Sequence, residues 1–344
     1  MKKGIITGTA YAFVHFTVEV VSFYLMFSRF DTSTALWWAM ALLYDALAFI
    51  PQSFFGILTD RFPRLNAGAA GLGIMACSLV VKNDIVSVVS VAVGNALVHV
   101  DGAQQTLRGA EGKITPDAIF VGAGSFGVIT GQLLAQYEPE GLAFAIAVLM
   151  AVSIAVVFIA HKKNDASEKA TGFSITADRS LWLITICSFI CVAARGYIAY
   201  AIPIEWKKTV VQSVLLFVFM GAGKMAGGVL ADFMGYRRVS WLSLLAGLVF
   251  LLFGNEIMIL SLIGIALFSM TMPVTVAILV SAYPDRPGFA FGITTIGLFC
   301  GTFPAFFIRP ETLAQHQLTA LVLTAVALIC LEICIKRKGK CYEI

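Results

Sequence analysis

GILTDRFPR (residues 56–64) and GVLADFMGYRR (residues 228–238) are two copies of one motif in this 344-residue chain. Glycine and aspartate keep the same separation in both copies, which lie 172 residues apart. An aspartate beside arginines at a helix end can form ion pairs between helices and cap a neighbouring helix. We predict that the motif forms a gate between two parts of the protein, with the residues Gly56, Asp60, Arg61, Arg64, Gly228, Asp232, Arg237 and Arg238.

A second repeated pattern consists of glycines inside apolar stretches. Gly122, Gly127 and Gly131 are followed, 170 residues later, by Gly292, Gly297 and Gly301. Glycines on one helix face let membrane-spanning backbones approach closely, so both stretches should be tightly packed helices. Two independent patterns with nearly the same displacement indicate a duplicated unit.

The composition indicates an integral membrane protein. Apolar residues make up 59% of the chain and charged residues only 13%, about half the usual share of soluble domains. Apolar stretches long enough to cross a hydrocarbon core of about 30 Å as helices recur from end to end. The fold class predicted is all-α, with twelve transmembrane helices in two pseudo-symmetric six-helix bundles, near residues 4–28, 34–59, 65–81, 84–107, 115–136, 141–161, 180–204, 209–232, 238–254, 256–282, 288–308 and 313–335.

The distribution of lysine and arginine predicts the orientation. If the N-terminus is cytoplasmic, 17 of the 24 basic residues lie in inner loops and tails and five lie in outer loops. We therefore expect a multi-pass protein of the plasma or inner membrane, embedded in the lipid bilayer, with both termini cytoplasmic. The basic residues set the topology, so we expect no nucleic-acid partner.

The longest polar stretch, HKKNDASEKATGFSITADR (residues 161–179), divides the two repeats. It predicts an N-terminal bundle at residues 1–161, a cytoplasmic linker at residues 162–179, and a C-terminal bundle with a short basic tail at residues 180–344. We expect a monomer.

The motif resembles the loop signature of the major facilitator superfamily, and the resemblance extends over the whole twelve-span layout. The first copy departs from that signature at Pro63, where glycine is usual, and the second lacks an arginine directly after Asp232. A narrower likeness, carried by His99, Arg195 and their neighbours, is to exporters of the fosmidomycin-resistance type. The resemblance implies a secondary active transporter that works by alternating access between two halves, and we expect it to be a proton-coupled antiporter.

Polar residues inside the apolar spans are the candidates for the transport pathway, because an ionisable group within the bilayer is costly unless it faces a cavity. In the N-terminal half these are His15, Glu19, Asp45, Asn95, His99 and Asp101. A carboxylate beside histidine is suited to bind and release protons near neutral pH. The same residue types also bind divalent metals, with His15, Glu19, Asp45 and His99 as candidate ligands. Structural hydrogen bonding between helices is the third interpretation.

The C-terminal half contributes two intramembrane cations, Arg195 and Lys224. Arg195 is a fork-shaped donor for a carboxylate or phosphate, whereas Lys224 could extend to the cytoplasmic face. A half rich in acids that faces a half with cations suits an organic anion, a zwitterion or a drug as substrate, and it also suits a gate of opposite charges.

Other classes of protein fit the sequence less well. The segment GAGSFG (residues 122–127) is similar to a nucleophile segment of membrane serine proteases, but later histidines lie only at the membrane edge, and HExxH and P-loop motifs are absent. We therefore expect no enzyme and no cofactor. A receptor or sensor that binds a solute without transporting it remains an alternative, as does a divalent metal transporter.

Overall fold

The computed structural model describes residues 2–163, 169–202, 204–254 and 256–336, and within these ranges the chain is all-helical apart from its loops. Residues Pro203, Arg337, Lys338 and Lys340 lie outside the described ranges. The described helices are α1 (Lys2–Arg29), α2 (Ala35–Phe49), α3 (Gln52–Arg61), α4 (Ala67–Val80), α5 (Asp84–Arg108), α6 (Thr115–Tyr137), α7 (Leu142–Lys163), α8 (Leu181–Ala201), α9 (Val210–Met234), α10 (Tyr236–Phe253), α11 (Met258–Ser269), α12 (Thr271–Ala282), α13 (Pro287–Ala305) and α14 (Leu313–Cys334).

Eleven helical spans within the described ranges are long and apolar enough to cross a membrane. Two of them are interrupted: α2 and α3 are separated at Pro51, and α11 and α12 at Met270, three residues before Pro273. Proline has no backbone N–H and its ring obstructs the preceding turn, which accounts for interruptions in otherwise apolar spans. The predicted third span is the shorter helix α4, whose 14 residues extend over only about 21 Å.

The packing of helices repeats between the two halves. In the first half α1 packs along α6, and in the second half α8 packs along α13. The halves meet through two equivalent contacts, α3 against α13 and α9 against α6. The duplication read from the sequence therefore corresponds to a duplicated pattern of helix contacts.

Glycines make these contacts close. A Cβ atom at Gly131 would lie 2.5 Å from the carbonyl oxygen of Val20 in α1, and one at Gly301 would overlap the backbone of Ala193 in α8. Between the halves, Gly228 of α9 lies against Ala118 of α6. The predicted close approach of the glycine helices is thus present within and between the halves.

The described part of the linker lies along the predicted cytoplasmic ends of α12 and α14. The Ala170 N–H donates to the Pro284 carbonyl over 3.0 Å, and Ile175 is buried. Thr176 forms an isolated β-bridge with Ile335, just beyond α14. Residues 169–179 therefore form an ordered connection to the second half.

Candidate functional site

Four of the predicted pathway residues meet inside the first half, and we call His15, Glu19, Asn95 and His99 the central cluster. The Nε2 atoms of His15 and His99 each lie 3.5 Å from Oε1 of Glu19. The amide of Asn95 donates to the same oxygen over 3.1 Å. His15 and Glu19 lie one turn apart on α1, and Asn95 and His99 one turn apart on α5, so two helix faces supply the cluster. All four side chains are buried.

The hydrogen bonds of the two imidazoles fix which nitrogen carries a proton. Nδ1 of His15 lies 2.8 Å from the Phe120 carbonyl oxygen, and Nδ1 of His99 lies 3.0 Å from the Asn95 carbonyl oxygen. Because a carbonyl accepts but never donates, both Nδ1 atoms carry hydrogen, and both Nε2 atoms turn lone pairs toward Glu19 when the rings are neutral. Three acceptor atoms then face one another at short range. A proton or a cation between them relieves this repulsion.

The same arrangement fits a metal ion as well as a proton. One ligand atom each from His15, Glu19 and His99 lies within 4.8 Å of the others. A backbone carbonyl on the second ring nitrogen is the usual support of a metal-binding histidine. Asp45 was predicted as a fourth ligand, but it is not part of this group. Its neighbour Tyr44 is the residue of α2 that enters the cluster, at 2.9 Å from the Asn95 amide.

The displacement of Asp45 follows from helix geometry. Successive residues of a helix point about 100° apart, so Tyr44 and Asp45 do not both face the same site. Asp45 is half-buried and interacts electrostatically with Glu19, but it forms no hydrogen bond or ion pair with any described residue. It therefore lies beside the central cluster.

Asp101 belongs to a separate cluster nearer the predicted cytoplasmic face. It follows His99 by two residues, which places it on nearly the opposite side of α5. Its carboxylate accepts a hydrogen bond from the Tyr11 hydroxyl over 2.7 Å and lies 2.7 Å from Nε2 of His161 at the end of α7. The ring of Phe120 packs against both His15 and Tyr11, between the two clusters.

Arg195 is a buried cation without a carboxylate partner in the described part of the chain. Its side chain lies on α8, is 9% exposed, and donates to the Thr271 and Thr275 hydroxyls of α12 over 2.8 and 3.3 Å. These hydroxyls in turn donate to backbone carbonyls. A guanidinium has five N–H groups, so three remain unused here, among them Nε–H. The geometry leaves a forked donor available to an anion.

The side chain of Lys224 extends from α9 in the second half to α6 in the first half. Its Nζ donates to the Ser125 hydroxyl of α6 over 2.9 Å and interacts electrostatically with both Glu19 and Arg195. The side chain thus turns into the interface of the halves, and the alternative that it extends to the cytoplasmic face does not fit this contact.

Each motif aspartate caps a helix of the opposite half. Asp60, on α3, accepts hydrogen bonds from the N–H groups of Gly288 and Phe289, over 3.1 and 2.9 Å, in the first turn of α13. Gln104 donates to it over 2.6 Å, and Arg108 lies 3.6 Å away. We call this contact the Asp60 cap.

The second copy has the same backbone geometry with different side chains. Asp232, on α9, accepts from the N–H groups of Ile114 and Thr115 at the start of α6, both over 2.9 Å. The hydroxyls of Thr115 and Tyr236 also donate to it, over 2.6 and 3.0 Å. We call this contact the Asp232 cap. Among the described residues, no side-chain cation lies on its carboxylate, and the ammonium group of Lys113 donates instead to the Asp232 backbone carbonyl over 3.4 Å.

The motif arginines do not pair with the motif aspartates among the described residues. Arg61 lies over the ring of Phe62, and Arg237 binds Glu332 of α14 over 2.7 Å. Arg64 and Arg238 are exposed. The motif arginines follow each aspartate at the loop, where their side chains point outward. The arginine that does reach Asp60 is Arg108, because α5 lies beside α3. The prediction that arginines adjacent in sequence form the ion pairs is wrong.

Comparison with solved structures decides the fold. FucP, an Escherichia coli fucose:proton symporter, matches with a TM-score of 0.66 at 14% identity, over 96% of this chain and 98% of that chain. The fold is that of the major facilitator superfamily. A second FucP structure, in the outward conformation, matches with a TM-score of 0.64 at 14% identity, over 96% and 99% of the two chains. The human organic anion transporter MFSD10 matches with a TM-score of 0.69 at 11% identity, over 95% and 98%. Searches of protein-family models and of curated proteins find no match.

Several residues that the structure places at the site were not predicted from the sequence. Thr271 and Thr275 lie one turn apart in the predicted tenth span, a spacing that marks one helix face. Arg108 was assigned to a loop, although it lies one residue beyond the predicted fourth span. His161 was placed at the membrane edge, and its contact with Asp101 was missed. The spacing of Thr271 and Thr275 is a signal that the sequence contains. The contact of His161 with Asp101, in contrast, depends on how α7 is rotated about its axis.

Proposed function

We propose that this chain is a secondary active transporter that moves a small organic anion or zwitterion by alternating access, coupled to protons. The observation that carries the proposal is the convergence of two imidazole nitrogens on one carboxylate oxygen, 3.5 Å from each, inside the half that faces Lys224 and Arg195. The structural neighbours lend support, since one is described as a proton symporter and another as an organic anion transporter.

Protonation of the central cluster supplies the coupling. With neutral imidazoles, the carboxylate of Glu19 needs a proton or cation to relieve the repulsion from both Nε2 lone pairs. Lys224, on the other half, is an internal cation that interacts electrostatically with Glu19. A movement of the halves changes the distance from Lys224 to Glu19, and with it the affinity of the cluster for a proton.

The second cluster extends the proton route toward the predicted cytoplasmic face. Asp101 lies 2.7 Å from both the Tyr11 hydroxyl and His161, and the His161 side chain is 13% exposed. We infer that protons pass between the central cluster and His161 when Phe120 moves aside. Phe120 also packs against Phe291 of α13, so movement of the second half acts on its ring.

The substrate anion is held by the cations of the second half. Arg195 is buried with three N–H groups unused, and a buried unpaired charge costs several kcal/mol. A carboxylate or phosphate that accepts two of these N–H groups offsets that cost. Alternating access then requires that the Asp60 and Asp232 caps open, since both tie the halves together at the predicted cytoplasmic face.

The proposal is tested by flux in proteoliposomes. The purified chain should accumulate one or more members of a panel of labelled organic anions and zwitterions when a pH gradient is imposed, without ATP. We expect Glu19→Gln to abolish gradient-driven accumulation but to retain exchange of label at equal concentrations, and Asp45→Asn, which acts only through its electrostatic interaction with Glu19, to weaken the accumulation. Glu140→Gln, at an exposed carboxylate outside the helices, is the control and should behave like the unmodified chain.

Two outcomes would contradict this mechanism. Gradient-driven transport that persists in Glu19→Gln would remove Glu19 from the proton route. Binding of a solute without flux would favour the receptor alternative.

A divalent metal ion is the second candidate substrate, and the distance of each imidazole Nε2 from Oε1 of Glu19 favours it. Ligands about 2.0–2.1 Å from a tetrahedral metal lie roughly 3.4 Å apart, close to the 3.5 Å found here. Thermal stabilisation by Zn²⁺ or Mn²⁺ that disappears in His15→Ala would establish the metal. Stabilisation by organic anions that disappears in Arg195→Ala would establish the anion.

A further inference from the structure

A cavity of about 750 Å³ lies at the predicted cytoplasmic face, away from the central cluster. It is bounded by the last residues of the linker, by the end of α14 and by Trp241 of α10. Helix α8 starts, α10 starts and α14 ends at this level, so the cavity opens where a bilayer would change from hydrocarbon to headgroups. We propose that this cavity is a binding site for the headgroup of an anionic glycerophospholipid.

One wall of the cavity is apolar. Leu328, Ile329 and Ile333 form consecutive turns of α14 along it, and Ile329 is 61% exposed on the lipid-facing side. An acyl chain packed along these turns continues the hydrocarbon of the bilayer. A small soluble anion would gain nothing from this wall, which is the reason for assigning a lipid.

The opposite wall is cationic. Arg179 and Lys336 line it with exposed side chains, and Arg179 is the last residue of the linker. The carboxylate of Glu332 is already compensated, because Arg237 donates to it over 2.7 Å and the Trp241 indole donates over 3.0 Å. Two cations and two carboxylates line the cavity, the second carboxylate being Asp178, and Arg237 beside the cavity neutralises Glu332, which leaves Arg179 and Lys336 against Asp178. The excess positive charge is complementary to a phosphodiester.

Trp241 adds an independent indication of the membrane interface. Its ring is 39% exposed while its N–H is bonded to Glu332, an arrangement with one apolar side and one polar end. Tryptophan takes this position at the level of lipid headgroups. The cavity thus combines the charge, the apolar wall and the depth that a phospholipid requires.

A bound lipid would contact two segments that the backbone already joins. The Ala177 N–H donates to the Cys334 carbonyl, and the Lys336 N–H donates to the Ile175 carbonyl, both over 2.8 Å. Arg179 follows Ala177 by two residues on the linker, and Lys336 is itself the donor of the second bond on the α14 segment. A phosphate held by both side chains would therefore stabilise the attachment of the linker to α14.

Native mass spectrometry of the full-length chain in detergent tests the site. Phosphatidylglycerol and phosphatidylcholine with identical acyl chains are titrated separately, and glycerol 3-phosphate is titrated as the soluble phosphate. We expect tighter binding of phosphatidylglycerol by at least fivefold, since each cation near an anionic lipid contributes about a factor of five. Arg179→Gln and Lys336→Gln should each lower its affinity about fivefold, and both together about 30-fold.

Lys162→Gln is the matched control, because Lys162 is an exposed lysine at the same face, beyond the cavity. It should leave the lipid preference unchanged, and circular dichroism should show that all variants are folded. Ile329→Gln should weaken both lipids equally. Equal binding of the two lipids by the unmodified chain, a preference retained in the double variant, an equal loss in Lys162→Gln, or binding of glycerol 3-phosphate as tight as that of phosphatidylglycerol would each overturn the proposal.

Discussion

The Asp60 cap gives the sharpest prediction about movement of the two halves. Asp60→Asn keeps the shape of the side chain but removes the charge that the first turn of α13 and Arg108 share. Loss of a charged helix cap costs about 1 kcal/mol. Arg108 lies in the same half as Asp60, so the lost pair favours separation only because the guanidinium stays buried without a partner in the capped state and is hydrated in the open state. For this pair, 3.6 Å long, we take about 1–2 kcal/mol, below the 3–5 kcal/mol of a close buried pair. The sum of about 2–3 kcal/mol favours separation of the halves at this face roughly 30- to 160-fold.

The separation is measured as a distance between spin labels on the two halves. Leu65 and Phe233 are exposed positions for the labels, one in each half near the predicted cytoplasmic face, in a background in which the exposed Cys77 and Cys300 are serine. Double electron–electron resonance of the unmodified pair should show mainly the short distance of the capped state. In Asp60→Asn a longer distance should become a major population.

A double-mutant cycle with Arg108 separates the ion pair from the cap. In Asp60→Asn the remaining guanidinium is buried without its partner, so Arg108→Gln in the same chain should restore part of the short-distance population. Asp232→Asn is the matched comparison, because that cap holds no side-chain cation on its carboxylate. Identical distance distributions in all variants, or effects of Arg108→Gln and Asp60→Asn that simply add, would refute the reasoning.

Three further variants test the interior. Gly124→Ala places a methyl group on the His15 ring, and we expect about 1–3 kcal/mol of destabilisation in thermal unfolding, whereas Gly73→Ala, where a Cβ meets open space, should be neutral or stabilising. Arg195→Lys keeps the charge but loses the fork, so anion transport should fall at least tenfold while the unfolding temperature changes little; unchanged transport would exclude bidentate binding. His161→Gln can still hydrogen-bond to Asp101 but cannot carry a proton, so proton flux recorded with a pH-sensitive dye should slow and exchange of substrate should persist.

The sequence predicted those features that depend on spacing along one helix. The pairing of His15 with Glu19 and of Asn95 with His99 follows from positions four residues apart, and these four residues do meet. The close packing of the glycine helices follows in the same way, since a glycine brings backbones together whichever helix it meets.

Features that depend on the rotation of a helix about its axis were predicted less well. A soluble helix reveals its buried face through an apolar stripe, but a membrane helix is apolar toward both the lipid and the protein. The sequence therefore did not show that Tyr44 rather than Asp45 enters the central cluster. It also did not show that Asp101 turns away from His99, toward Tyr11 and His161.

The two caps explain why the motif kept its aspartate while the residues around it diverged. Each aspartate binds backbone N–H groups at the start of a helix, and every residue except proline supplies such a group whatever its side chain. The contact therefore survives changes of sequence on the accepting side. The compensating groups do vary: a guanidinium and an amide surround Asp60, and two hydroxyls surround Asp232. When the halves separate, Asp60 keeps Arg108 and Gln104 of its own half, whereas among the described residues Asp232 keeps only the Tyr236 hydroxyl of its own half as a side-chain donor, so the Asp232 cap should be the more costly of the two to open.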